Sequence, residues 1–297
     1  MGVTLAEVWD GIADRRLEAE VMDDPSLPEA EHRAALRGLA RLNAWSASDR
    51  ALFAPIRQLS LELGRPVRLL DVACGGGDQL VRLARRARRA GIDLRPAGCD
   101  LSTVALDVSA DRARRAGFEV RFFQRDVITE GIPRGYDVIV CSLFVHHLSD
   151  DDAAELFAAI EEASPRLALI QDLRRLKRGA LLAAAASRLL TRSEVVRTDS
   201  LLSVGAAFEL DEIEHMSQQA GMYTSRLRRV WPLRWQLEWR PRIRSGDTEE
   251  LLLSPHPRDL PSPAIVRPRP VDANRGRGDA PDDDPATVAG RADLAQP

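Results

Sequence analysis

The sequence predicts an α/β fold, a mostly parallel sheet with helices on both faces. Two observations carry that expectation. From Val67 to Gln171, short apolar runs alternate with amphipathic stretches, and the connections between them are short. Near the end, Thr224–Val230 and Arg234–Trp239 are alternating segments joined at Trp231-Pro232-Leu233, which reads as an antiparallel pair closing the sheet.

Residues 1–65 read as a helical N-terminal cap. Glu29–Arg41 and Ser46–Leu63 carry apolar residues at helical spacing, and Pro55 is expected to kink or restart the second. Met22–Pro28 is a turn-rich break before them. The apolar runs that follow are Val67–Ala73, Leu94–Cys99, Glu119–Phe123, Tyr136–Ser142 and Leu167–Gln171. The intervening helices are Asp78–Ala90, Thr103–Ala116 and Asp150–Ala163. Gly179–Leu190 is an Ala/Leu helix, and Leu210–Ala220 is another, with Gly221 as its C-terminal cap. From Pro241 onward lie more than half of the chain's 18 prolines, with few aliphatic residues beyond Leu251–Leu253. Such a stretch buries too little surface to offset its ordering entropy, so residues 241–297 are expected to be a disordered tail after a domain at 66–240.

Composition narrows the function classes. The 297 residues are 44% hydrophobic, enough for a sizeable core, and the net charge is −3. Bulk charge gives no reason to expect a nucleic-acid partner, which normally requires a basic face. Arginine dominates the cations, with Lys177 the single lysine. Three cysteines, Cys74, Cys99 and Cys141, fall at predicted strand ends, where free cysteine is a small buried hydrophobe; they do not make a disulfide framework. A cytoplasmic location is expected, since the N-terminal residues lack a basic start followed by an apolar run and no stretch has the ~20 apolar residues of a membrane span.

The most informative segment is Leu69-Leu-Asp-Val-Ala-Cys-Gly-Gly-Gly-Asp78. It sets an aspartate in a strand end and a glycine-rich turn before a helix, where glycine lets a ligand approach the backbone. It is not a dinucleotide fingerprint, because Leu80 stands where a glycine is needed, nor a phosphate-cradling loop, which would end in Lys-Ser or Lys-Thr. Asp71 and Asp78 flank the turn, a poor setting for pyrophosphate and a good one for a cationic ligand. Asp100 falls at the end of the second strand, where a carboxylate can accept bonds from a ribose diol, and Asp126 falls at the end of the third. In an open α/β sheet these strand ends meet at one crevice.

With Asp71-x-x-Cys-Gly-x-Gly77, Asp100, Asp126-Val127 and Tyr136–Leu148 in place, residues 67–240 resemble the class I S-adenosylmethionine-dependent methyltransferases, whose sheet is seven-stranded and doubly wound. The resemblance implies S-adenosylmethionine as cofactor. It implies that the loop at Ala73, Cys74, Gly75 and Gly77 meets the methionine moiety, with Asp71 at its base. Asp100 would hold the ribose hydroxyls and Leu101 would pack on the adenine. Asp126 and the Val127 amide would read the adenine edge, and the Cys141 region would meet the ammonium.

Phe144-Val-His-His-Leu148 follows the fourth strand toward the same crevice. His146 or His147 could take a proton from a phenolic acceptor, the catalytic reading, or could serve structure or cofactor instead. No metal is expected, because the adjacent histidines lack a third ligand at a known spacing. Arginines flank the Gly179–Leu190 helix, which reads either as a packing helix or as a lid over a lipid-like acceptor, with peripheral membrane contact open. Segments at 167–173, 189–193, 206–208 and 229–232 resemble, more loosely, methyltransferases of quinones and phenolic lipids. The expected acceptor is therefore a small-molecule phenolic, polyketide-derived or quinone-like hydroxyl, as in secondary metabolism. C- or N-methylation of another metabolite, or cofactor binding without catalysis, stand as alternatives. Arg41, Asn43, Trp45 and Arg50 are candidates to close over the site, with Trp45 better read as a core anchor.

Overall fold

Helix α1 (Leu5–Asp10) starts at Thr4, whose hydroxyl accepts the Glu7 N–H while the Glu7 carboxylate accepts the Thr4 N–H. This computed structural model describes residues 4–241, so the expected disordered tail, apart from Pro241, lies outside the described residues. A single 3-10 turn, Val21–Asp23, precedes α2 (Glu29–Ser46) and α3 (Asp49–Leu63). Then come β1 (Val67–Val72), α4 (Asp78–Arg89), β2 (Leu94–Asp100), α5 (Thr103–Arg115), β3 (Arg121–Gln124) and β4 (Val138–Ser142). A 3-10 turn at Val145–His147 leads to α6 (Asp150–Ala163), β5 (Leu167–Leu173), α7 (Lys177–Leu190), α8 (Glu194–Ala206), α9 (Leu210–Gln219), β6 (Arg226–Val230) and β7 (Arg234–Trp239). Helix α8 was not anticipated; its apolar residues bury against α7 and the N-terminal segment without a clean periodic stripe.

The seven strands run in the order β3-β2-β1-β4-β5-β7-β6, parallel through β5 and antiparallel for β7 and β6. The winding reverses between β1 and β4, which sets a crevice at the carboxyl ends of those strands. Central strands bury both faces, which explains their continuous apolar runs. Val67, Leu69, Val138, Val140, Leu167 and Leu169 pack with Leu52, Ile56 and Leu59 of α3 and Leu80 and Leu83 of α4. The alternate residues Leu70, Val72, Ile139, Cys141, Ala168 and Ile170 pack with Leu156, Phe157 and Ile160 of α6 and Ile213 and Met216 of α9. Each of these buried large side chains contributes ~1.5–3 kcal/mol over remaining exposed.

Helix α3 does not restart at Pro55. The break falls at Ala47, left-handed at φ 49°, and Pro55 sits inside an unbroken helix. Proline cannot donate to the carbonyl four residues earlier. That carbonyl, of Ala51, instead accepts Gln236 Nε2 at 3.3 Å and Arg228 Nη2 at 3.2 Å, so the freed acceptor ties α3 to the closing hairpin. Gln236 in turn accepts Gln171 Nε2 at 3.0 Å in the buried interior.

The N-terminal segment is fastened through Arg15. Its guanidinium donates to the carbonyls of Ala206 (2.7 Å) and Leu148, pairs with Asp150 at 2.8 Å, and lies over the Phe208 ring. Helix α7 buries Ala180 and Ala184 against Val8, Leu201 and Val204. Trp45 is not a core anchor: it is 44% exposed and its ring lies 6.2 Å from that of Trp231, itself exposed. Among the described residues no helix is long and apolar enough to cross a membrane.

Candidate active site

The turn after β1 is built for close approach. Ala73, Gly75 and Gly77 all lie at positive φ, 51°, 52° and 66°. For Ala73 that conformation is strained and is held by its surroundings, including the Cys74 N–H donating to Cys99 O at 2.9 Å. Gly77 must be glycine for a second reason: a Cβ there would come within 2.9 Å of the Ser109 Cβ on α5. Ser109 Oγ donates to Gly75 O at 2.7 Å, and Arg112 Nη1 donates to Gly76 O, so α5 holds the turn from behind. A Cβ on Gly75 would meet nothing within 4 Å, which makes it the open face of the turn.

Two of the three strand-end acids converge on that face. The Gly75 N–H donates to Asp100 Oδ2 at 2.8 Å, and the Ser102 N–H donates to Asp100 Oδ1 at 2.9 Å. Burial raises the Asp100 carboxyl above its ordinary value, against the pull of those two donors. Asp71 is 2% exposed, and its Oδ2 has no hydrogen-bond partner among the described residues. Burial, with Asp78 and Asp100 nearby, pushes its carboxyl well above the usual range, only partly opposed by Arg82. Asp78 is paired, to Arg82 at 2.7 Å and to Arg112 at 3.6 Å. On the far side of the crevice Arg234 stands opposite Leu173 in the β5–β7 register; it is buried, and its Nε and Nη1 have no hydrogen-bond partner among the described residues. Burial lowers it to about 10, opposed by the charges of Asp172 and Asp78.

The histidine pair is more deeply held than expected. His146 is 3% exposed; its Nδ1 lies 2.7 Å from Asp172 Oδ1, and its N–H donates to Asp172 Oδ2 at 3.1 Å. Burial would lower its pKa, but Asp172 and Glu20 more than reverse this and push it up to about 10. His147 is less buried and has its Nδ1 2.9 Å from Asp23 Oδ2. Glu20 faces both rings, 3.5 Å from His146 Nε2 and 3.8 Å from His147 Nε2. No third ligand stands at a known sequence spacing, but Glu20 comes against both rings from more than a hundred residues away.

Comparison with known proteins places this geometry. The methyltransferase domain family matches residues 69–164, which span the glycine turn, the strand-end acids and the histidine pair. Residues 69–164, about a third of the chain, are thus similar to a methyltransferase domain. An indolepyruvate C-methyltransferase from Streptomyces griseus is 34% identical over 98 residues, which cover 31% of this chain and 28% of that enzyme. The match thus spans less than a third of that relative's length. The crystal structure of an S-adenosylmethionine-dependent methyltransferase, SibL, in its apo form shares the fold at a TM-score of 0.51, with 21% identity over 80% of this chain and 70% of that one.

Other expected residues of the methyltransferase domain fall out differently. Leu101 is 62% exposed beside Asp100. Asp126 turns inward on its own loop, Oδ1 accepting the N–H groups of Ile128 and Thr129, next to the buried Val127. Cys141 is fully buried in the core with its thiol pushed well up by burial, so only its backbone is available to a ligand. Cys74 is likewise buried, its sulfur 2.9 Å from where a Gly98 Cβ would stand. Sequence reasoning missed Asp172, although an acid at the end of β5 obeys the rule that singled out Asp100. It also missed Glu20 and Asp23, for which no periodic signal exists, and Arg234.

Proposed function

We propose that this chain transfers the methyl group of S-adenosylmethionine to a small-molecule acceptor hydroxyl of the phenolic, polyketide-derived or quinone-like kind. The observation that carries the cofactor half is the buried Asp71 carboxylate, unpartnered at Oδ2, beside a turn whose open residue, Gly75, is locked to Asp100. A cationic ligand relieves that uncompensated acid. When bound, the cofactor supplies an electrophilic methyl on a sulfonium. Asp71 and the backbone at Ala73, Cys74, Gly75 and Gly77 receive the methionine end, with the Cys141 backbone near the ammonium. Arg234, with two unpartnered N–H positions, offers a counterpart for a carboxylate. Both Asp100 oxygens retain a second lone pair for the ribose hydroxyls. Leu101 offers an exposed apolar surface to the adenine, and Asp126 with the Val127 N–H borders its edge.

The acceptor is placed by proximity, which alone supplies several kcal/mol. His147, half-buried and steadied by Asp23, is the member of the pair open to an acceptor, and His146, locked to Asp172, positions it. Isothermal titration with S-adenosylmethionine, followed by labelled methyl transfer to a panel of alkylresorcinols and quinols, tests both halves. Transfer to none of the phenolics would sink the acceptor. A second reading, methylation at carbon, is favoured by the identity to the indolepyruvate C-methyltransferase, and aryl oxoacids in the same panel discriminate it.

A further inference from the structure

We propose that Glu20, His146 and His147 form a binding site for one first-row divalent cation, of the zinc or cobalt(II) type. The site shares His146 and His147 with the proposed acceptor side, but its occupancy is measured without cofactor or acceptor, so its failure is distinguishable from failure of the methyl-transfer reading.

The spacing is the first argument. Glu20 Oε1 is 3.5 Å from His146 Nε2, and Glu20 Oε2 is 3.8 Å from His147 Nε2; the three donor groups lie within 4.8 Å of one another. These separations exceed the ~2.7–2.9 Å of a charge-assisted hydrogen bond. Two ligands each ~2.0–2.1 Å from a tetrahedral ion stand about 3.4 Å apart, close to what is seen.

The second argument is orientation. Each imidazole already gives its Nδ1 to a carboxylate, His146 to Asp172 at 2.7 Å and His147 to Asp23 at 2.9 Å. That arrangement fixes the ring and leaves Nε2 as the basic atom, as outer carboxylates do for metal-bound histidine. Glu20 is steadied in the same way, accepting the Ser203 hydroxyl from α8. A bound cation would take the place of the proton held between Glu20 and the Nε2 atoms.

The third argument is charge. Glu20, Asp23 and Asp172 touch the two imidazoles, and Asp199 lies behind Glu20, accepting the Val21 and Met22 N–H groups at 2.8 and 3.1 Å. A dication neutralises this acid-rich corner, and binding displaces whatever protons hold the place otherwise. Two imidazoles and a carboxylate are borderline ligands suited to zinc, and three protein donors leave a position for an oxygen ligand.

The test uses the full chain, stripped with chelator, dialysed and titrated with cobalt(II), read by visible d–d absorption, and with zinc by calorimetry. One equivalent is expected, with Kd at or below about 1 µM. Glu20→Gln and His147→Ala should each weaken binding at least ~100-fold, and Asp23→Asn by ~10-fold through the outer carboxylate. Circular dichroism and melting of each metal-free variant confirm that it is folded; His147→Ala, at the less buried ring, keeps the test open if Glu20→Gln does not fold. Wild-type protein that takes up neither metal, or variants that bind as the wild type does, would overturn the site.

Discussion

The Gly75 N–H and the Asp100 carboxylate are joined at 2.8 Å, so the open residue of the glycine turn and the strand-end acid form one unit. Asp100→Ala therefore does two things. It leaves the Gly75 and Ser102 N–H groups without their acceptor, costing about 1–2 kcal/mol of stability. With Asp100 proposed to hold the ribose, S-adenosylmethionine affinity should also fall at least ~10-fold, a loss of about 1.4 kcal/mol. Calorimetry and thermal melting separate the two effects.

Gly75→Ala and Gly77→Ala should diverge although both residues sit at positive φ. Gly75→Ala meets open space and costs only the ~1–2 kcal/mol of a left-handed alanine, while obstructing the ligand face. Gly77→Ala adds a clash with Ser109 Cβ at 2.9 Å and Cα at 3.2 Å, for about 3 kcal/mol in all. Equal melting temperatures for the two variants would contradict this packing.

The buried Asp71 gives a pH signature. Its carboxyl is raised in the folded chain, so the native state holds the proton more tightly than the unfolded one. The stability from this group is fully present below the ordinary aspartate pKa of about 4 and is lost as pH rises through the raised folded value. Asp71→Asn, neutral throughout, should gain on the ligand-free wild type as pH climbs above that point, yet bind S-adenosylmethionine more weakly. Parallel melting curves from acid to neutral pH would refute the account.

Gln236→Ala removes the partner of both Gln171 and the Ala51 carbonyl in the interior, a loss of about 2–3 kcal/mol. Pro55→Ala restores an intrahelical donor to that same carbonyl. The double variant should consequently recover part of the loss, and a chemical-denaturation cycle showing simple additivity would count against the link.

What the sequence disclosed follows period and position. Strands buried on both faces print as unbroken apolar runs, so Val67–Val72 and Leu167–Leu173 were legible, as was the hairpin around Trp231-Pro232-Leu233. Asp71, Asp100 and the glycines were legible because strand ends and turns demand particular residue types. Helix α8 was not, since it buries Asp199 and Ser203 among its apolar residues and so lacks a stripe. Glu20 and Asp23 lie in an aperiodic break, and only tertiary folding brings them to the histidines. The proline in α3 misled because its cost falls on Ala51, whose carbonyl finds donors on strands nearly 180 residues later. Trp45 misled because residue type suggests burial where the helix faces outward.

Arg15 carries a consequence for the order in which the chain acquires its shape. Its Ala206 partner lies 191 positions further along the chain. At ~5–20 residues per second, that partner emerges some ten to forty seconds later. Its partners Leu148 and Asp150, and the histidines that Glu20 faces, are made earlier, but the contacts with Ala206 and Phe208 wait for the end of α8. The sheet up to β5 can assemble beforehand, so the corner that joins residues 15–23 to the strand ends is among the last parts of the molecule to close.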